Sequence, residues 1–192
     1  MSRAGLLVSL LLGTLFSHVP LIAQSNPQDV TCFPVMISGG HETDPRDHGR
    51  PVLLVAGGLG LPPEVFREAF SRVHPVAPGS YPDQERAQQN KGVLLAALAK
   101  YGITNQKLDA VSDAYRYKPG SGQLWPNKPA TIAAFVKNGD VLSYKVIDGG
   151  SGYSSPPKLS VPGVRSAPVS VKLSFGQNLS TNGSISEVTI VR

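Results

Sequence analysis

Residues 130–147 read ATIAAFVKNGDVLSYKVI. Apolar residues recur at every second position on both sides of Asn138-Gly139, a pair favoured in two-residue hairpin turns because both positions tolerate positive φ. Ile132, Ala134 and Val136 alternate with Thr131, Ala133 and Phe135. The return run is expected to put Leu142, Tyr144 and Val146 on one face and Val141, Ser143 and Lys145 on the other. Pro168 to Val191 repeats the outline: Val169, Val171, Leu173 and Phe175 alternate with Ser170, Lys172 and Ser174, as in a half-buried strand. Asn182-Gly183 then aligns with Asn138-Gly139, and Val188 and Ile190 fall on Tyr144 and Val146. Two related antiparallel hairpins are expected, the second with a longer turn.

Working back toward the N-terminus, the period changes from two to about 3.6. A first helix is expected from Pro51 through Ala56, ended by Gly57, Gly58 and Gly60. Pro62-Pro63 starts a second, with Val65, Phe66, Ala69, Phe70 and Val73 on one face. Asp83 caps a third helix carrying Ala87, Leu94, Leu98 and Tyr101, closed by Gly102, and Thr104 caps a fourth with Leu108, Val111 and Tyr115. Gly60 and Gly102 stand at equivalent places of two helix-glycine-helix hairpins. The fold class is therefore expected to be α+β: an N-terminal bundle of about four short helices in two helix-turn-helix hairpins, followed by a small antiparallel β domain. The expected divisions are a signal peptide at 1–25, a helical domain at 26–117, a linker at 118–129 and a β domain with an internal repeat at 130–192.

The signal peptide is expected from Arg3, the apolar run Ala4–Phe16 and the small residues Ala23 and Ser25. Export to the periplasm, cell surface or extracellular space follows, with no membrane span left after cleavage. The chain carries a net charge of +5. That charge is uneven: residues 26–117 are near neutral, while 118–192 hold eight Lys/Arg against three Asp/Glu. An exported basic domain points to an anionic partner, a component of the cell envelope or an anionic polysaccharide, or to another protein. Nucleic acid is not expected, since neither second helix clusters base-reading residues. Cys32 is the single cysteine, so no intramolecular disulfide forms, and it is expected to be buried.

Residues with chemistry fall in two places. His41, Glu42, Asp44, Asp47 and His48 are the densest set of metal-ligating types, and His41, Asp44, Asp47 and His48 are the candidate metal ligands. The zinc-hydrolase helix spacing is absent, because the residue four after His41 is Pro45. The second place is the run Ile147-Asp148-Gly149-Gly150-Ser151-Gly152-Tyr153-Ser154-Ser155-Pro156-Pro157. It resembles a β-module of secreted bacterial surface proteins and phage tail proteins. Through Gly39-Gly40-His41-Glu42-Thr43-Asp44-Pro45-Arg46-Asp47 and Pro62-Pro63-Glu64-Val65-Phe66-Arg67-Glu68-Ala69-Phe70, the chain also resembles small exported bacterial proteins of uncharacterised activity.

No Gly-x-Ser-x-Gly elbow is present, and Ser151 lies in a strand-to-proline turn. The candidate ligand-binding residues are Tyr153, Ser151, Trp125, Tyr117 and Arg116, aromatic and basic groups suited to sugar rings and anionic substituents. The expected function is a non-enzymatic binding or interaction module that needs no cofactor, with the basic sheet and the glycine run as contact surface. The alternative is a metal-dependent hydrolase or metal-binding protein with a divalent ion in the His41–His48 loop.

Overall fold

The chain enters the structure as a strand rather than a helix. The computed structural model describes residues 29–74, 82–116, 124–165 and 167–191. Within them Thr31–Pro34 forms β1 and Met36–Ser38 forms β2. Four helices follow: α1 (Val52–Leu59), α2 (Pro63–Phe70), α3 (Gln84–Leu98) and α4 (Asn105–Ala114). The remaining strands are β3 (Thr131–Lys137), β4 (Asp140–Asp148), β5 (Lys158–Ser160), β6 (Val169–Ser174) and β7 (Ser184–Ile190). The fold class is α+β, with three small antiparallel sheets among the described residues: β1-β3-β4, β2-β5 and β6-β7. The segments at 1–25 and at 117–123, including Tyr117, lie outside the described residues.

The expected limits of the helical part need a correction at 31–38. β1 pairs with β3 (Cys32 opposite Phe135), β2 pairs with β5 (Ile37 opposite Leu159), and the Val35 N–H between them bonds the Ile132 carbonyl at 3.0 Å. Strands of four and three residues separated by Val35 are too short to show a period, so only their distant partners reveal them. Cys32 is exposed, because β1 is an edge strand on which Phe33 is the more buried residue.

Asn138-Gly139 forms the expected tight turn, with φ of 54° and 81° and Lys137 paired to Asp140. The faces of β4 differ from expectation. Phe135 pairs Ser143 and Val136 pairs Val141, so Leu142 is an extra residue, a bulge. One extra residue reverses the side-chain parity, which buries Val141 beside Ala134 and Val136 and leaves Leu142 51% exposed. Ile147 is a second bulge, and it too is exposed. In the other hairpin the bulge is Ser186, because Lys172 pairs Glu187 and Leu173 pairs Ile185. Leu142 and Ser186 are each the third residue after the glycine of an Asn-Gly pair.

The helix caps follow the local chemistry. Asp83 accepts from the Arg86 N–H at 2.8 Å, Thr104 Oγ1 accepts from the Lys107 N–H at 3.2 Å, and Gly60 and Gly102 close their helices at positive φ. Gly57 and Gly58, however, lie inside α1. A Cβ on Gly57 would come within 2.7 Å of Asn182 Oδ1, and one on Gly58 within 2.9 Å of Val111. They serve close packing rather than termination.

Leu54, Leu59, Phe66, Leu98, Leu108 and Val111 from the four helices share one core with Trp125, and Phe175 and Leu179 of the β half pack against it. Ala87 and Tyr101 of the expected α3 stripe are exposed. Two further cores lie between the sheets, one around Ile132, Tyr153, Val171, Ile185 and Val188, the other around Ala134, Val136, Val141 and Val161. Among the described residues no helix is long and apolar enough to cross a membrane.

Candidate binding cleft beside the buried glycine run

The glycine run is enclosed by the rest of the chain. The Lys128 and Ser151 backbones bond reciprocally at 3.1 and 2.9 Å, and the Gly152 and Tyr153 N–H groups donate to the Asn182 and Gly183 carbonyls at 2.9 and 3.0 Å. The Gly152 carbonyl accepts from Trp125 Nε1 at 2.8 Å, and His41 Nδ1 lies 3.2 Å from the same oxygen. Tyr153 Oη accepts from the Ala130 N–H at 3.0 Å, and its ring stacks on His41 at 5.4 Å between centroids.

These contacts correct the expected contact surface. Tyr153 is 4% exposed and Trp125 3%, so neither ring face is open to a sugar. Ser151 is half-buried with its backbone in the Lys128 pairing, and Arg116 is exposed and ion-paired with Asp113 at 3.1 Å. Sequence reasoning placed the aromatics at loop surfaces because prolines and glycines surround them. Their hydrogen-bond partners lie far along the chain, and this is what draws them inward.

The loop from His41 does meet the glycine run. Ser154 Oγ donates to the Glu42 carbonyl at 2.8 Å, Ser155 Oγ donates to Glu42 Oε2, and the Ser154 N–H donates to the Gly40 carbonyl at 2.9 Å. The Ser155 hydroxyl holds the Glu42 carboxyl below the usual glutamate range, assisted by backbone N–H groups. A carboxylate kept ionised in this way is a poor proton carrier near neutrality.

The four candidate metal ligands do not converge. Among the described residues no group of three or more His, Cys, Asp or Glu is arranged to hold a metal ion. Asp44 and Asp47 face guanidinium groups instead. Asp44 Oδ2 accepts from Arg46 Nη2 at 2.7 Å, and the side-chain and backbone bonds of Arg46 pull the Asp44 carboxyl down to about 2. Asp47 is buried and takes a fork from Arg67, Nε to Oδ1 at 2.7 Å and Nη2 to Oδ2 at 2.8 Å. That fork, with Glu64 at 2.5 Å, raises the Arg67 pKa above the usual arginine range. His41 belongs to the Tyr153 stack, and His48 is exposed at a left-handed turn with φ of 49°.

Sequence reasoning missed the arginines. Arg46, Arg50 and Arg67 line an open cleft of about 300 Å³ with Asp44, Asp47 and Glu64, floored by Val52, Leu53 and Pro63. Arg46 and Arg67 are engaged by the carboxylates. Arg50 is not: its guanidinium lies 4.6 Å from the Phe70 ring centroid, and Nη1 donates to the Asp47 carbonyl at 3.2 Å. Burial lowers its pKa from the usual arginine value. Arg50 retains donors with no carboxylate on them among the described residues, which is chemistry for holding an anion. The signal available in the sequence was the spacing Asp44, Arg46, Asp47 and Arg50 in one loop, but it does not reveal which arginine is left over.

The fork between Arg67 and Asp47 joins α2 to this loop, and Arg67→Met should destabilise the protein by about 2 kcal/mol, between the values for exposed and buried pairs because the cleft admits water. Chemical denaturation monitored by circular dichroism checks this; an unchanged midpoint would show that the fork contributes nothing. No protein-family model, curated protein or solved structure matches this chain.

Proposed function

We propose that the protein is an exported, non-enzymatic binding module for an anionic partner of the cell envelope or extracellular space, an anionic polysaccharide or another protein. The observation that carries this reading is Arg50, a half-buried guanidinium lining an open cleft, stacked on Phe70 and without a carboxylate partner among the described residues. Removal of residues 1–25 takes one positive charge, Arg3, from the net charge of +5, and the positive balance that remains favours encounter with anions. The reading takes residues 1–25 as the export signal and the four helices as two helix-turn-helix hairpins forming a bundle that carries the cleft. It takes the two β hairpins as copies of one unit, as the common placement of their Leu142 and Ser186 bulges suggests.

Purified mature protein is expected to bind polygalacturonate or cell-envelope preparations at moderate salt in calorimetric titration. Arg50→Gln is expected to weaken that binding about tenfold, the loss of one charge-assisted contact, with little change in melting temperature. Absence of binding to both, or equal binding by Arg50→Gln, overturns the proposal.

A further inference from the structure

The cleft at Arg50 does not end at Leu53. Leu53 and Pro63 also line a second open cleft of about 360 Å³, walled by Leu61, Phe175 and Gln177. The two clefts share Leu53 and Pro63 as a common wall, with the charged side chains on the Arg50 side and Leu61 and Phe175 on the other. At the far rim Gln177 Oε1 accepts from Lys107 Nζ at 2.7 Å, and Lys107 has no carboxylate partner among the described residues. The shared wall is apolar, with Arg50 in the first cleft and Lys107 outside the second, behind Gln177. The six charged groups at the Arg50 end balance in sign, so directional donors rather than net field select the ligand there.

Resting on the reading of Arg50 as an anion-binding residue, we infer that the two clefts together take an acidic polypeptide segment, with a carboxylate on Arg50 and a neighbouring aliphatic side chain over Leu53, Leu61 and Phe175. A sugar ring placed on those apolar side chains would lose water from its hydroxyls without replacement partners, whereas an aliphatic side chain gains by the same burial. The aromatic rings best suited to stack on a sugar, Trp125 and Tyr153, are enclosed in the cores. Gln177 uses its carbonyl oxygen on Lys107, which leaves its amide group at the rim for a ligand backbone carbonyl. A partner carrying further acidic residues gains from Lys107, and its binding weakens with salt.

The test is a nitrogen-15 NMR titration of the mature protein with acetyl-Glu-Leu-amide, acetyl-Glu-Gly-amide and oligogalacturonate. The Glu-Leu probe is expected to bind about tenfold more tightly than Glu-Gly and to shift the amides of Arg50, Leu53, Leu61 and Gly176. Leu53→Asn, at a half-buried position outside the three cores, is expected to weaken Glu-Leu binding about tenfold more than Glu-Gly binding, which removes the preference for leucine. Equal affinities for the two peptides, or shifts that spare Leu53 and Leu61, overturn the inference and leave the Arg50 reading standing. Tighter binding of oligogalacturonate than of Glu-Leu also overturns it, in favour of a polysaccharide. If no probe shifts Arg50, the inference falls, and the reading of Arg50 falls with it unless cell-envelope preparations bind and Arg50→Gln weakens that binding.

Discussion

Asn182→Ala is expected to destabilise the protein by about 3 kcal/mol, because it orphans buried groups that each cost about 1–3 kcal/mol when left unpaired. The Asn182 side chain is 1% exposed and joins three separate parts of the chain. Nδ2 donates to the Leu54 carbonyl of α1 at 2.7 Å and to the Tyr115 hydroxyl after α4 at 2.8 Å, while Oδ1 accepts from the Gly176 N–H at 3.0 Å. Alanine leaves the Gly176 donor without a partner and opens a gap against Gly57. At about 2–4 °C per kcal/mol for a chain of this size, the melting temperature should fall by about 10 °C in calorimetry. Asn182→Asp separates polarity from charge. It keeps an acceptor for Gly176 but sets a carboxylate against the Leu54 carbonyl, so it should be no more stable than the alanine variant. A loss below about 1 kcal/mol for alanine would mean that the amide does not hold the two halves together.

Gly150→Ala is expected to cost about 3 kcal/mol or more, combining about 1–2 kcal/mol for a side chain in left-handed backbone with about 1–3 kcal/mol of overpacking. The residue has φ of 64°, and an added Cβ would lie 2.3 Å from the Lys128 carbonyl oxygen and 2.8 Å from the Ala130 N. Neither neighbour can move freely. Lys128 is paired to Ser151 on both sides, and the Ala130 N–H is held by the Tyr153 hydroxyl. Gly139→Ala is the matched control, with φ of 81° but nothing within 4 Å of the added carbon, so it should show the backbone strain alone. Urea midpoints of the two variants check the difference; equal midpoints would show that the Lys128 contact relaxes without cost. The consequence extends to the cleft, because Gly152 and Tyr153 hold His41, and Ser154 both bonds Glu42 and lines the cleft.

The helix ends and the tight hairpin were legible because their chemistry is local. Asp83 caps a donor three residues ahead, Thr104 does the same, and Asn138-Gly139 needs only its own two φ angles. The bulge at Leu142 was not legible. An alternating run looks the same in sequence whether or not one of its residues is skipped in pairing, and the choice depends on packing of Val141 against Ala134 and Val136. Asn182-Gly183 misled in a different way: it has the composition of a turn tip, but the longer connection of this hairpin carries it into the interior beneath α1.

At the candidate site, the loop from His41 to Arg50 was visible as a cluster of charge, and its meeting with the glycine run came only from the fold. The same holds for its chemistry. Asp44 and Asp47 appeared as metal ligands because sequence counts carboxylates without their partners, and Arg67 reaches Asp47 from α2, on the other side of α1 in the chain.

By itself, the sequence determined the α+β class, the helix caps, the first hairpin turn and the uneven positive charge, all properties set by a residue and its neighbours within about one helical turn or one strand pair. Tertiary structure alone decided that β1 and β2 join the sheets, that Gly57 and Gly58 pack inside a helix, that Trp125 and Tyr153 are enclosed, and that Arg50 is the cleft arginine with no carboxylate partner among the described residues. Each of these depends on a contact between distant parts of the chain, where burial and hydrogen-bond pairing override local preference.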